Sequence, residues 1–225
     1  MTIKTICLLA GLGIALTGRS QHLDYTRYEL LSHGGMQAAS VDAQYDDIKG
    51  SAWFSDWQPA ILVTGDGRRL SDLKARIDLY KNVAYIKLHD TVYNINGTAI
   101  TRIIFYPGLG DSVVFQKGFS GAGVREEQFI QVLASGKLGL LKQRSVEQKD
   151  VHEDALSTVK TFVTQDYYFL VRTAGQLETV KPGRKLFEQE MGDKWKTVSQ
   201  YAREKDLSFN QEEGWVPLLR YYNSL

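Results

Sequence analysis

The chain has 225 residues, 43% hydrophobic and 24% charged, the balance of a globular protein with a core of its own rather than of a disordered segment. A formal net charge of +1 supplies no basic field for nucleic acid, and a single cysteine excludes both a disulfide scaffold and a thiolate zinc site.

In chain order, residues 1–20 read as a cleavable secretory leader. Lys4 gives a positive start, residues 6–16 (ICLLAGLGIAL) an apolar run, and Gly18 and Ser20 the small residues before a cut at Gln21. A spanning helix needs about 20 apolar residues, so the run is too short for a membrane anchor. Cys7 lies within it and forms no lipoprotein box. Loss of Lys4, Cys7 and Arg19 leaves a mature chain without cysteine, with 25 basic and 26 acidic residues. No later segment is apolar enough to span a membrane, so no transmembrane segment is expected after cleavage. The strands that follow are also too short for an outer-membrane barrel. Residues 21–48 are an N-terminal extension.

Residues 49–180 read as an antiparallel β-body. Residues 60–64 (AILVT) meet the turn Gly65-Asp66-Gly67. Leu73, Ala75, Ile77 and Leu79 then alternate with Lys74, Arg76 and Asp78, the period of a strand with one buried face. Strands follow at 83–88 and 91–95 around a His89-Asp90 turn, then at 100–106 after Asn96-Gly97, ended by Pro107-Gly108. Further strands are expected at 113–119, 129–133, 138–144, 159–164, 167–172 and 177–180. The polar stretch 145–156 reads as a long loop or an inserted helical turn. Successive hairpins require antiparallel pairing, because parallel strands need long crossovers.

Beyond Lys181-Pro182-Gly183 the period turns helical over 181–225. Asp193 reads as an N-cap for a stripe of Trp195, Val198, Tyr201 and Ala202. Asn210 with Glu213 reads as a capping box before Trp215, Leu218, Leu219 and Tyr222. Pro217 either kinks that last helix or forces it to begin near Val216. The fold class is therefore α+β and β-dominated: an antiparallel β-sandwich or partly closed barrel carrying two or three short C-terminal helices.

The GSAWF segment beginning at Gly50-Ser51, the Asp66-Gly67 hairpin, residues 129–142 (FIQVLASGKLGLLK) and the YYNSL ending at 221–225 occur in an order that resembles an uncharacterised family of small exported envelope proteins of Gram-negative bacteria. The resemblance implies a periplasmic or envelope location and no particular chemistry. Gly214 and Pro217 stand where ordinary helix formers are expected in such relatives.

Motifs for catalysis are sparse. His152-Glu153-Asp154 lacks the second histidine one turn on, where Leu156 stands, and the histidines at 22, 33, 89 and 152 are scattered. There is no Gly-x-Ser-x-Gly elbow, phosphate loop or calcium loop. Asp46, Asp47, Asp78, Asp90 and Asp111 are eligible as acids by residue type alone. No cofactor and no metal are expected. Aromatics are the remaining lead: Trp53, Phe54 and Trp57 cluster at the start of the body, and indole faces either stack on sugars or fill a core. The candidate ligand-binding residues are thus Trp53, Trp57, Asp78, His89 and Asp90. The preferred reading is a non-catalytic binding or interaction module whose partner is an envelope protein or a glycan. The alternative is a hydrolase of an envelope or glycan substrate acting through dispersed carboxylates.

Overall fold

A computed structural model of the chain describes residues 36–41, 44–88, 90–95, 99–106, 112–152, 157–172 and 176–225. The expected leader, His22, His33, His89, Asn96-Gly97, Pro107-Gly108, Asp111 and residues 153–156 lie outside the described residues.

Eleven strands form one continuous antiparallel sheet. They are β1 (Met36–Ala38), β2 (Gln58–Thr64), β3 (Arg69–Asp78), β4 (Val83–Leu88), β5 (Thr91–Ile95), β6 (Ile100–Phe105), β7 (Val113–Gln116), β8 (Ile130–Ala134), β9 (Gly139–His152), β10 (Thr158–Val171) and β11 (Leu177–Val180). Their spatial order is β1-β5-β4-β3-β2-β6-β7-β8-β9-β10-β11, open between β1 and β11. The class is as expected, β-dominated α+β. Lone bridges draw the two halves together: the 49–54 segment meets the end of β3 through Trp53 and Asp78, and meets β10 through Lys49 and Thr161.

Alternation places the core. Leu73, Ala75 and Ile77 of β3 are buried while Lys74 is exposed. Leu70, three residues before Leu73, is buried as well. A register shift against Ala60 and Leu62 of β2, with Asp72 at φ 58°, absorbs the extra residue there. These side chains pack with Leu62, Ile103, Phe105, Phe115 and Phe129 in the principal core.

Three expectations are corrected. The stretch 145–152 is neither loop nor helical turn: it continues β9, paired residue for residue with the outer half of β10. The strands expected at 159–164 and 167–172 are that single strand β10, with Gln165 and Asp166 paired to Ser145 and Arg144 across the ladder. A short first strand, β1, lies inside the presumed extension and pairs with β5.

The C-terminal part comprises α1 (Arg184–Met191), a 3-10 turn at Gly192–Lys194, α2 (Trp195–Glu204) and α3 (Glu212–Ser224). Asp193 sits inside the 3-10 turn and caps nothing. Gln211, not Asn210, is the N-cap of α3, and Asn210 Oδ1 instead accepts the Arg184 N–H at the start of α1 at 3.5 Å. Helix α3 runs through Pro217 to Ser224. Its stripe of Trp215, Leu218 and Leu219 is buried with Phe187, Val198 and Ala202 against Leu140 and Leu170 of the sheet. The 129–142 segment and the C-terminal residues 221–225 meet here. The Asn223 carboxamide accepts the Leu138 N–H at 2.9 Å and donates to the Ser135 and Leu138 carbonyls at 3.1 and 3.0 Å, clamping the β8–β9 turn. Gly136 in that turn has φ 141°, and a Cβ there would stand 2.6 Å from Asn223 Cγ. Asn223→Ala is expected to cost about 2 kcal/mol, since it deletes two part-buried hydrogen bonds worth about 1 each, while the exposed bond to Ser135 adds little. Faster amide exchange at Leu138 than at Leu170 would locate the loss in the turn.

Candidate functional site

Three features stand out from the scaffold: an aromatic cavity beside β3, a charged cluster under α3, and a projecting hairpin. The cavity, about 330 Å³, is lined by Gln44, Tyr45, Asp46, Ser51, Trp53 and Arg76 among others. Arg76 leaves the wet face of β3 and lays its guanidinium over the Trp53 ring at 3.6 Å and the Trp57 ring at 4.8 Å. Its Nη2 donates to the Val41 carbonyl at 3.3 Å. Tyr45 and Tyr85 approach the other side of the cluster, each with its ring centroid 5.8 Å from that of Trp53. Both indoles are half-buried, so part of each remains in water, while Arg76 already takes the stacking position on Trp53.

Asp78 is fully buried. Its carboxylate accepts the Tyr45 hydroxyl at 2.6 Å and the Lys81 N–H at 3.0 Å. Asp90 is exposed in the turn after β4. Asp78 pairs with Val83 at one end of β4 and Asp90 follows Leu88 at the other, a separation of roughly 17 Å at about 3.3 Å per residue. The structure therefore joins Trp53, Trp57 and Asp78 through β3 and leaves Asp90 apart; His89 lies outside the described residues. Among the described residues no group of three metal-ligating side chains converges.

Burial, and then the Asp78 carboxylate, push the Tyr45 phenol far above the usual tyrosine range. Burial and the Glu212 carboxylate do the same to Tyr168, and burial and Asp78 raise Tyr85. A group whose folded pKa is raised contributes its stability fully below the unfolded value and loses it as pH climbs beyond. Stability should thus hold up to the ordinary tyrosine pKa near 10 and fall steeply above it. Urea midpoints measured between neutral and strongly alkaline pH, with part of the tyrosinate absorbance withheld until unfolding, check this.

Under α3, Lys142 is buried and donates to Glu212 at 2.6 Å and to Asp166 at 3.0 Å. Tyr168 donates to the same Glu212 oxygen at 2.6 Å, and Arg144 grips Asp166 through two bonds of 2.8 and 2.9 Å. The Arg144 guanidinium holds the Asp166 carboxyl below its usual range. Glu212 also borders a groove of about 560 Å³ between α3 and the sheet, together with Val113, Gln131, Leu133, Pro217 and Arg220. The ion pairs fix the start of α3 on β9 and β10 and so shape one wall of that groove.

The hairpin is the outer part of β9 and β10. Strand β8 pairs with β9 only as far as Lys142, and β11 pairs with β10 only from Tyr168 onward. The ten residues of β9 beyond Lys142 thus outrun β8 by roughly 33 Å. Opposed residues of an antiparallel pair share a face. One face of this arm packs Val146 and Phe162 on Ala52. The other carries Val151, Val163 and Tyr167, three of the large apolar side chains left exposed, with Glu147 and Lys149 between them. Every residue from Glu147 to His152 is exposed.

No local pattern in the sequence marks Arg76, Tyr45, Lys142 or Glu212 as a partner in these clusters. Tyr45 lies 33 positions from Asp78, and Lys142 lies 70 from Glu212. No protein-family model matches the chain, and no curated protein or solved structure matches it.

Proposed function

We propose that the protein is an exported envelope component that acts as a non-catalytic interaction module and engages its partner through the β9–β10 arm. The leader-like residues 1–20 and the family resemblance support export. No helix among the described residues is long and apolar enough to cross a membrane. The observation that carries the interaction reading is the arm. A long two-stranded projection with exposed Val151, Val163 and Tyr167 on one face has little reason to survive in an isolated molecule, because exposed strand edges and apolar stripes invite pairing. β-Strand addition to such an edge is an established mode of recognition, in which backbone hydrogen bonds provide affinity. A hydrolase working through Asp78 and Asp90 gains no comparable support, since these carboxylates stand at opposite ends of β4.

Site-specific photocrosslinking in the cells that make the protein tests the reading. A photoreactive residue at Val163 should give a discrete adduct. The same probe at Tyr106, exposed just past the end of β6, should give none. Equal labelling from both positions, or none from Val163, overturns the proposal.

A further inference from the structure

Resting on that reading, we infer that the partner strand of the arm is the β9 edge of a second copy of this chain, added antiparallel across a two-fold axis at Gln148. Among the described residues no strand pairs with β9 on its β8 side beyond Lys142, whereas the outer edge of β10 already receives Lys49 at Lys160 and Phe162. The free edge therefore belongs to β9.

Symmetry then limits the register. Two antiparallel neighbours in one sheet can be exchanged only by an axis perpendicular to the sheet, which keeps each face on its own side. Opposed residues must then share a face, so the axis has to pass beside a residue that meets its own copy. Within the exposed run, centres at Glu147, Lys149 and Asp150 each set a charged residue against itself, which is unfavourable in a directly opposed pair, and centres at Val151 and His152 leave only three residues and one residue of β9 to pair. A centre at Gln148 does the reverse. It sets an amide against an amide on the axis, Glu147 against Lys149 of the second copy, and Lys149 against Glu147 of the second copy. Within one chain Lys149 Nζ already lies 3.2 Å from Glu147 Oε2, and both side chains are more than half exposed. Pairing would convert that local contact into an alternating row of four charges. Farther out, Ser145 meets Val151 of the other copy. The two arms become a four-stranded ribbon on which Val151 and Val163 of both chains lie on one face.

The experiment uses the full chain, expressed with its own leader in a Cys7→Ser background, so that any introduced cysteine is unique. Gln148→Cys should form a disulfide-linked dimer on mild oxidation, because directly opposed residues have Cα atoms about 4.5–5.5 Å apart, within disulfide reach. Ser145→Cys should not, as its own copy would lie roughly 20 Å away along the ribbon. In sedimentation, Glu147→Lys should raise the dimer dissociation constant roughly tenfold or more by opposing lysines. Glu147→Lys combined with Lys149→Glu should restore it. Circular dichroism confirms that these exposed substitutions leave the fold intact. No crosslink in the Gln148→Cys variant and a monomer at all concentrations overturn the inference. If the Val163 photoprobe then captures a different protein, the interaction reading stands without self-pairing. If it captures nothing, both fall.

Discussion

Gly214→Ala is expected to destabilise the protein by about 3 kcal/mol, although glycine-to-alanine inside a helix ordinarily stabilises by about 1. Gly214 is the third residue of α3, and a Cβ built on it would stand 2.0 Å from the Ser208 carbonyl oxygen and 2.9 Å from its carbon. The obstacle is backbone, so no rotamer change relieves it. Ser208 cannot retreat easily either. It lies between Leu207, whose N–H donates to the Ala202 carbonyl at 2.8 Å, and Phe209, which is buried and accepts the Trp215 indole N–H at 2.8 Å. The added methyl must push α3 away from that connection, and Trp215, Leu218 and Leu219 would move with it out of their packing on the sheet. Urea unfolding provides the measurement. Gly65→Ala is the control: its Cβ would meet only a Thr101 methyl at 3.7 Å, and it should change stability by no more than about 0.5 kcal/mol. A Gly214→Ala midpoint at or above the parent value would refute the close approach of α3 to Ser208.

That glycine illustrates what the sequence could and could not disclose. Strands with one wet and one dry face were legible. The alternation from Leu73 to Ile77 marked β3, and turn residues bounded β4, β5 and β11 so sharply that their ends agree to the residue. The arm was not legible, because periodicity is a record of unequal faces. From Glu147 to His152 both faces are wet, so the residues carry no apolar rhythm and look like a loop. What holds them extended is the ladder to β10, a partner that local pattern cannot name. The helix starts failed for a related reason: Asn210 has the chemistry of a cap, and tertiary packing spends it on α1 instead of α3. The candidate site was legible as residue types only. Trp53 and Trp57 were an evident cluster, yet the cation between them comes from the outward face of β3, where Arg76 looked like any solvated residue. The alternation puts Asp78 on the wet face of the same strand. It is instead the most deeply buried carboxylate among the described residues, since the 49–54 segment closes over the end of β3.

Replacing Asp78 should separate a structural carboxylate from a catalytic one by the sign of the stability change. Groups retained for chemistry are commonly stabilised when replaced, because active sites trade stability for function. Asp78→Ala is expected to do the opposite and cost about 3 kcal/mol. It deletes two hydrogen bonds to a charged acceptor, each worth about 1.5–3, and leaves the Tyr45 hydroxyl and Lys81 N–H to find other partners. Asp78→Asn keeps one oxygen acceptor, fills the same space and should cost about half as much. Its distinctive effect is on the alkaline side. With the carboxylate gone, burial and the neighbouring Tyr85 and Tyr80 still raise Tyr45, but by less, so its folded pKa moves back toward the unfolded value near 10. The difference in protons bound between folded and unfolded chains shrinks, and the decline in stability above that pH becomes shallower. Urea midpoints for the parent, Asp78→Asn and Asp78→Ala, taken from neutral to alkaline pH, test both parts together. Variants as stable as the parent at neutral pH, with an unchanged alkaline slope, would mean that the carboxylate is not spent on Tyr45 and is available for chemistry. A loss of midpoint at neutral pH with a flattened alkaline limb would assign Asp78 to the scaffold, where it ties the segment bearing Tyr45 to the end of β3.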